Sequence, residues 1–164
     1  FILNRTMLRP RDAIDFVNKC FCAANGKTTI SSEDITTAEE YFFDSRKKAL
    51  KDEWKALYPE IDTHIDILLK FIKKQTFNIE MLIKIKNDIK EKLIATNNME
   101  DVVVEKAIGD KELVETLLAI WFKIGIIGIK KDKNVILYSS FSKRYLNVTD
   151  YEKDFYIHPL FWRR

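Results

Sequence analysis

Apolar positions recur along most of this chain at the three-to-four-residue spacing of helices buried on one face, and the period shortens only near the end. The clearest case is residues 111–124, where Leu113, Val114, Leu117, Leu118, Ile120, Trp121 and Ile124 cover one wide face. Gly125 follows, at the position where a left-handed C-cap costs glycine least. Residues 126–130 and 135–141 are then β-branched and aromatic, and the polar turn of Lys131, Asp132, Lys133 and Asn134 joins them as a hairpin. This is the pattern of the second helix and the wing of a winged helix.

Upstream, Pro10 suits the first turn of a helix whose stripe is Ala13, Ile14, Phe16, Val17, Cys20, Phe21 and Ala24, and Asn25-Gly26 ends it. Ser32 is a candidate N-cap, and Thr37 with Glu40 has the form of a capping box that starts a longer helix running to about Leu57, before Pro59. Residues 62–75 read as an amphipathic helix on Ile65, Leu68, Leu69 and Ile72, capped by Asp62 or Thr63. Residues 78–95 read as another helix on Ile79, Leu82, Ile85, Ile89 and Leu93. After Asn97-Asn98, residues 100–108 give the first helix of a helix-turn-helix, with Gly109-Asp110 as the turn. The aromatic tail of residues 151–162 is expected to pack back onto the wing. The fold class is therefore mainly α: a helical unit at 1–59, then a helical and winged-helix unit at 60–164 with a small β-hairpin wing.

Composition changes this picture little. The 164 residues are 46% apolar with only four glycines and three prolines, enough for a packed, mostly helical fold and against intrinsic disorder. The 28 basic and 25 acidic residues are interspersed and leave a net charge of only +3, which is not the basic footprint of a dedicated nucleic-acid binder. There is no long apolar run for a membrane span and no signal-peptide layout, so a cytoplasmic setting is expected. Cys20 and Cys22 have neither redox-pair nor zinc spacing, and His64 and His158 lack metal-ligand neighbours, so no metal is expected. The opening Phe1 and the aromatic, basic end suggest a piece of a longer protein.

Two motifs carry candidate chemistry. Gly26-Lys27-Thr28 has the ending of a phosphate-binding loop, but the glycine required five residues earlier is Phe21, and a helix rather than a strand precedes it. Arg9-Pro10-Arg11 places two guanidinium groups at a helix entrance, where they are suited to an anion. Together with residues 6–18, Asp34-Ile35, Tyr41, Glu53-Trp54, Tyr58-Pro59, residues 124–128 and residues 157–162, this stretch resembles the C-terminal region of bacterial P-loop ATPases of the AAA and STAND type. In those proteins a helical lid and a winged helix follow the nucleotide-binding domain. The resemblance implies that Pro10-Arg11 corresponds to the sensor arginine that touches the γ-phosphate, with Arg9 as the other choice because it departs from the usual pattern. It further implies ATP and Mg²⁺ bound by the parent chain rather than by this segment, and an upstream nucleotide-binding domain as a partner.

On the winged helix itself, Glu112 and Glu115 share the exposed face of the second helix with Lys111, Thr116 and Lys123, and carboxylates there oppose groove binding to DNA. The remaining nucleic-acid candidates are Lys130, Lys131 and Lys133 of the wing, with Lys143 and Arg144. No Ser/His/Asp, Cys/His or metal constellation is present, so the segment is not expected to be an enzyme by itself. The leading expectation is a regulatory or interaction module whose winged helix packs against a protein partner. The alternative is a module that contacts nucleic-acid phosphates through the lysines just named.

Overall fold

The computed structural model describes Thr6 and residues 10–110, 112–132, 135–140 and 142–162. Its helices are α1 (Pro10–Ala23), α2 (Ser32–Trp54), α3 (Ile61–Phe71), α4 (Ile79–Lys84), α5 (Lys86–Ile94), α6 (Val102–Gly109) and α7 (Leu113–Lys123). The strands are β1 (Thr76–Phe77), β2 (Ile127–Asp132), β3 (Val135–Leu137) and β4 (Phe155–Ile157), with a 3₁₀ turn at Val148–Asp150 before β4. All strand pairings are antiparallel and the sheet order is β1-β4-β2-β3. The chain is thus mainly α, a helical part followed by a winged helix-turn-helix with a small wing, as its periodicity predicts. It divides into two compact units, Phe1–Leu50 with Pro159–Arg164, and Lys51–His158.

The first unit packs α1 against α2 through apolar positions four apart: Phe16 and Cys20 on one, Ala38, Phe42 and Leu50 on the other. Phe16 and Phe42 meet edge to face with centroids 5.2 Å apart, and Phe43 and Phe161 do so at 5.8 Å. Between the helices Gly26 takes the left-handed conformation at φ 75°. The capping box that starts α2 is Ser31 with Asp34, six residues before the expected Thr37 with Glu40. Ser31 Oγ accepts from the Asp34 N–H while Asp34 accepts from the Ser31 N–H and hydroxyl. Thr37 and Glu40 therefore sit inside one continuous helix that ends at Trp54 rather than Leu57.

The second unit is built around α7, seven of whose eleven residues are buried. Trp121 is fully buried and satisfies its indole N–H on the His64 carbonyl at 3.0 Å. Three expected segments differ here. The helix expected at 62–75 ends at Phe71, and β1 follows it to pair with β4, while Gln75 bonds Ile157 from both its backbone and side chain. The helix expected at 78–95 is broken at Ile85 into α4 and α5, with Asn78 capping the first through the Met81 N–H. Neither Asp62 nor Thr63 caps α3; Glu60 holds that position without a side-chain cap bond.

Of the aromatic tail, Phe155–Ile157 pack on the wing as β4 between β1 and β2, whereas residues 159–162 belong to the first unit, where Phe161 meets Phe43. The wing needs Gly128, because a Cβ there would stand 2.5 Å from Ile136 and 2.9 Å from Tyr138. Gly125 takes φ 83° after α7. The tip residues Lys133 and Asn134 lie outside the described residues.

What joins α3 to the helix-turn-helix is Asp101. Its fully buried carboxylate accepts from His64 Nε2 and the Val103 N–H, each at 2.9 Å, and from the Glu60 N–H at 2.9 Å. Burial alone would raise its pKa, but the hydrogen bonds and charge of His64 with the two backbone donors outweigh burial and hold it below the ordinary value. Asp101→Ala leaves three donors unpartnered, two of them buried, and is expected to cost about 3–5 kcal/mol in urea unfolding. Because the folded carboxyl binds its proton less readily than the unfolded one, its stabilisation is present above roughly pH 4 and is lost as pH falls through the folded pKa. The stability gap between parent and Asp101→Asn should accordingly narrow on acidification below that pH.

Candidate functional site

The inner face of α7 is used up by packing, so a narrow strip of Glu115, Thr116, Ala119 and Lys123, with Glu112 at the helix start, looks outward. Opposite it stand Tyr58, Tyr145 and Tyr151, and the space between is a cleft of about 610 Å³. A second cleft of about 570 Å³ shares Glu115 and Tyr151 with the first and continues past Glu80, Val148 and Glu152. The two clefts adjoin at these shared residues, and the pair is called the α7 groove.

The groove is electrically uneven. At one end the Lys123 ammonium lies 5.4 Å from the ring centroids of both Trp54 and Tyr58 and 6.0 Å from that of Tyr145, and it donates to the Tyr58 hydroxyl at 3.1 Å. Glu112 is paired with Lys106 at 3.1 Å. Glu80, Glu115 and Glu152 make no hydrogen bond or ion pair among the described residues. Burial, and next the charges of Glu115 and Asp150, push the Tyr151 hydroxyl pKa up. The far wall is held by Asp150, which is itself buried and accepts from Lys143 at 2.5 Å, the Asn147 N–H at 2.8 Å and Lys153 at 3.0 Å. Its burial favours the proton, but these donors prevail and hold its carboxyl at about 2.

The residues singled out from sequence lie elsewhere. Arg11 is exposed on the first turn of α1 and makes no hydrogen bond or ion pair among the described residues, and Arg9 lies outside them. Lys27 donates to Asp34 at 2.7 Å, and this pair together with Ser31 holds the Asp34 carboxyl at about 2. Lys130 is half-buried in β2, Lys131 and Arg144 are exposed, Lys143 is paired with Asp150, and Lys133 is outside the described residues. Cys20 is buried and Cys22 exposed, both as free thiols, and burial raises the Cys20 pKa. Among the described residues no three His, Cys, Asp or Glu side chains are grouped to hold a metal.

Two buried polar contacts that shape these units leave only faint marks in the sequence. One is the Asp101–His64 clip, signalled by an aspartate standing directly before the apolar run of Val102, Val103 and Val104. The other is Arg46–Asp12, whose charged groups lie 3.4 Å apart and almost wholly buried. Both are spaced as part of apolar stripes, Asp12 before Phe16 and Cys20, and Arg46 between Phe42 and Leu50. Opposite charges recurring in two such stripes are the legible sign of a buried pair.

Fold and site together describe a mainly α chain with a winged helix whose second helix borders a groove rather than an open basic face. Residues 1–51 match the family model described as the FunZ-associated C-terminal helical domain, which fits a C-terminal region of a larger protein. No curated protein and no solved structure matches the chain. Across the matched segment the two arginines should separate cleanly. Arg46→Ala leaves Asp12 charged and buried and is expected to cost about 3 kcal/mol of stability. Arg11→Ala, on the exposed turn, should leave the melting temperature within about 2 °C when both are followed by calorimetry.

Proposed function

We propose that this segment is a non-catalytic, C-terminal regulatory and interaction module of a larger P-loop ATPase, with its winged helix turned to protein docking. The observation that carries the reading is the outward strip of α7. A helix that reads DNA presents basic and amide side chains to the groove. This strip presents Glu115 without a compensating cation, and tyrosines wall it in. Carboxylates facing phosphate lower affinity, whereas a walled, partly aromatic cleft suits a protein segment.

The ATPase half of the proposal is supported by the resemblance of the chain to lid and winged-helix regions and by the description of the matched family as a C-terminal domain. In this reading Arg11, without an ion pair among the described residues and set at the start of α1 by Pro10, reaches from the lid to the γ-phosphate held by the upstream domain. ATP and Mg²⁺ belong to that domain. The Gly26-Lys27-Thr28 stretch does not fit a phosphate, since Lys27 is engaged by Asp34 and no glycine-rich loop surrounds it.

Calorimetric titration of the segment with Mg·ATP should show no binding, and turnover that disappears on Lys27→Ala would overturn this. In the intact ATPase, Arg11→Ala should slow hydrolysis by roughly 100-fold, the usual loss on removing a donor to developing charge; an unchanged rate removes the sensor role. Anisotropy titrations with duplex DNA should give only weak, sequence-independent binding, with a log–log salt slope of about −2 to −4 from the few available cations. Tight binding to one sequence that survives raised salt would instead favour the nucleic-acid reading through Lys130, Lys131, Lys133, Lys143 and Arg144.

A further inference from the structure

We propose that the groove along α7 takes a basic, extended segment of a protein partner, with arginine or lysine heads placed among Glu80, Glu115 and Glu152 and its apolar side chains against Tyr145, Tyr151 and Val148. The proposal rests on the protein-docking reading above and names the chemistry of the partner. Three features of one surface lead to it.

The surface is concave rather than a flat charged patch, since two clefts of about 610 and 570 Å³ adjoin at Glu115 and Tyr151, which line both. A chain in extended conformation lies in such a depression and fills successive sites with its side chains. Among the described residues its charge is uncompensated in one place. The lysines near its walls are committed, Lys106 to Glu112 and both Lys143 and Lys153 to Asp150, while Glu80, Glu115 and Glu152 have no partner among the described residues. Carboxylates are acceptors alone, so what completes them is a donor cation, and a guanidinium beside a tyrosine ring gains stacking as well as charge. Finally, the apolar rim is exposed: Val148 is 85% and Tyr145 62% accessible, a contact surface that water solvates poorly and an aliphatic side chain covers well.

Lys123 fixes the polarity of the site. Its ammonium already occupies the box of Trp54, Tyr58 and Tyr145, so the basic heads of a partner are excluded from that end by like charge and are placed at the Glu80, Glu115 and Glu152 end.

The test uses the whole chain, a fluorescein-labelled peptide alternating arginine with leucine, a matched peptide with glutamate for arginine, and duplex DNA. The arginine peptide should bind saturably, and the Glu80→Gln, Glu115→Gln, Glu152→Gln triple variant should bind it about tenfold or more weakly. A triple variant of equal charge change on other helices, Asp88→Asn, Glu91→Gln, Glu105→Gln, should bind as the parent does. All six side chains are exposed, so circular dichroism and melting are expected to match the parent. Charge reversal by Glu115→Arg with Glu152→Arg should transfer preference to the glutamate peptide. Equal weakening by the two triple variants, or unchanged binding after the groove triple, overturns the proposal. If neither peptide nor DNA binds, the basic-segment proposal falls while the docking reading stands. If DNA binds tightly and Lys131→Ala abolishes it, both fall.

Discussion

One buried carboxylate organises the winged-helix unit. Asp101 ends the chain's approach to α6 by capping it, receives the N–H that opens α3, and takes the imidazole of His64 from the second turn of α3. Removing a charge from water costs several kcal/mol, and the carboxylate offsets that cost only because three donors converge on it. The geometry has to be met by three backbone and side-chain positions at once, which fixes the start of α3 relative to the start of α6. The His64 carbonyl then receives the Trp121 indole, so the same clip also locates α7.

The position of α7 in turn determines what surface is left. With its apolar side chains enclosed between α3, the neighbouring helices and β2, the helix has little outward face, and that face carries two glutamates. A loop after the wing could lie anywhere over it. It is held because the buried carboxylate of Asp150 gathers Lys143, Lys153 and the Asn147 N–H into a tight 3₁₀ turn, from which Tyr151 reaches the groove. Packing inside and charge at the loop thus make one groove between them.

Charge is used in two different ways. Asp101, Asp150 and the Asp12–Arg46 pair are buried and partnered, and their role is to specify which elements meet. Glu80, Glu115 and Glu152 are exposed and have no partner among the described residues, and contribute an electrostatic field rather than stability. That division explains why a chain of near-balanced composition carries a locally negative groove, and why its net charge of +3 says little about what it binds.

Local signals determined the helices and the wing. The 3.6-residue stripes of α1, α2 and α7, Gly26 and Gly125 as left-handed caps, and the β-branched run of the hairpin all act within a few residues, where side-chain burial and backbone strain can be read directly. The strand Thr76–Phe77 was decided by a tertiary partner, whereas the α2 cap at Ser31 rests on bonds to Asp34 only three residues on. Two residues form β1 only because β4 arrives from some eighty positions later with donors to match. Arg11 and the wing lysines were visible because their residue types are conspicuous in the sequence. The groove was not, since Glu80, Glu115, Tyr151 and Glu152 come from three separate stretches and become a site only after the Asp101 clip and the Asp150 turn have closed.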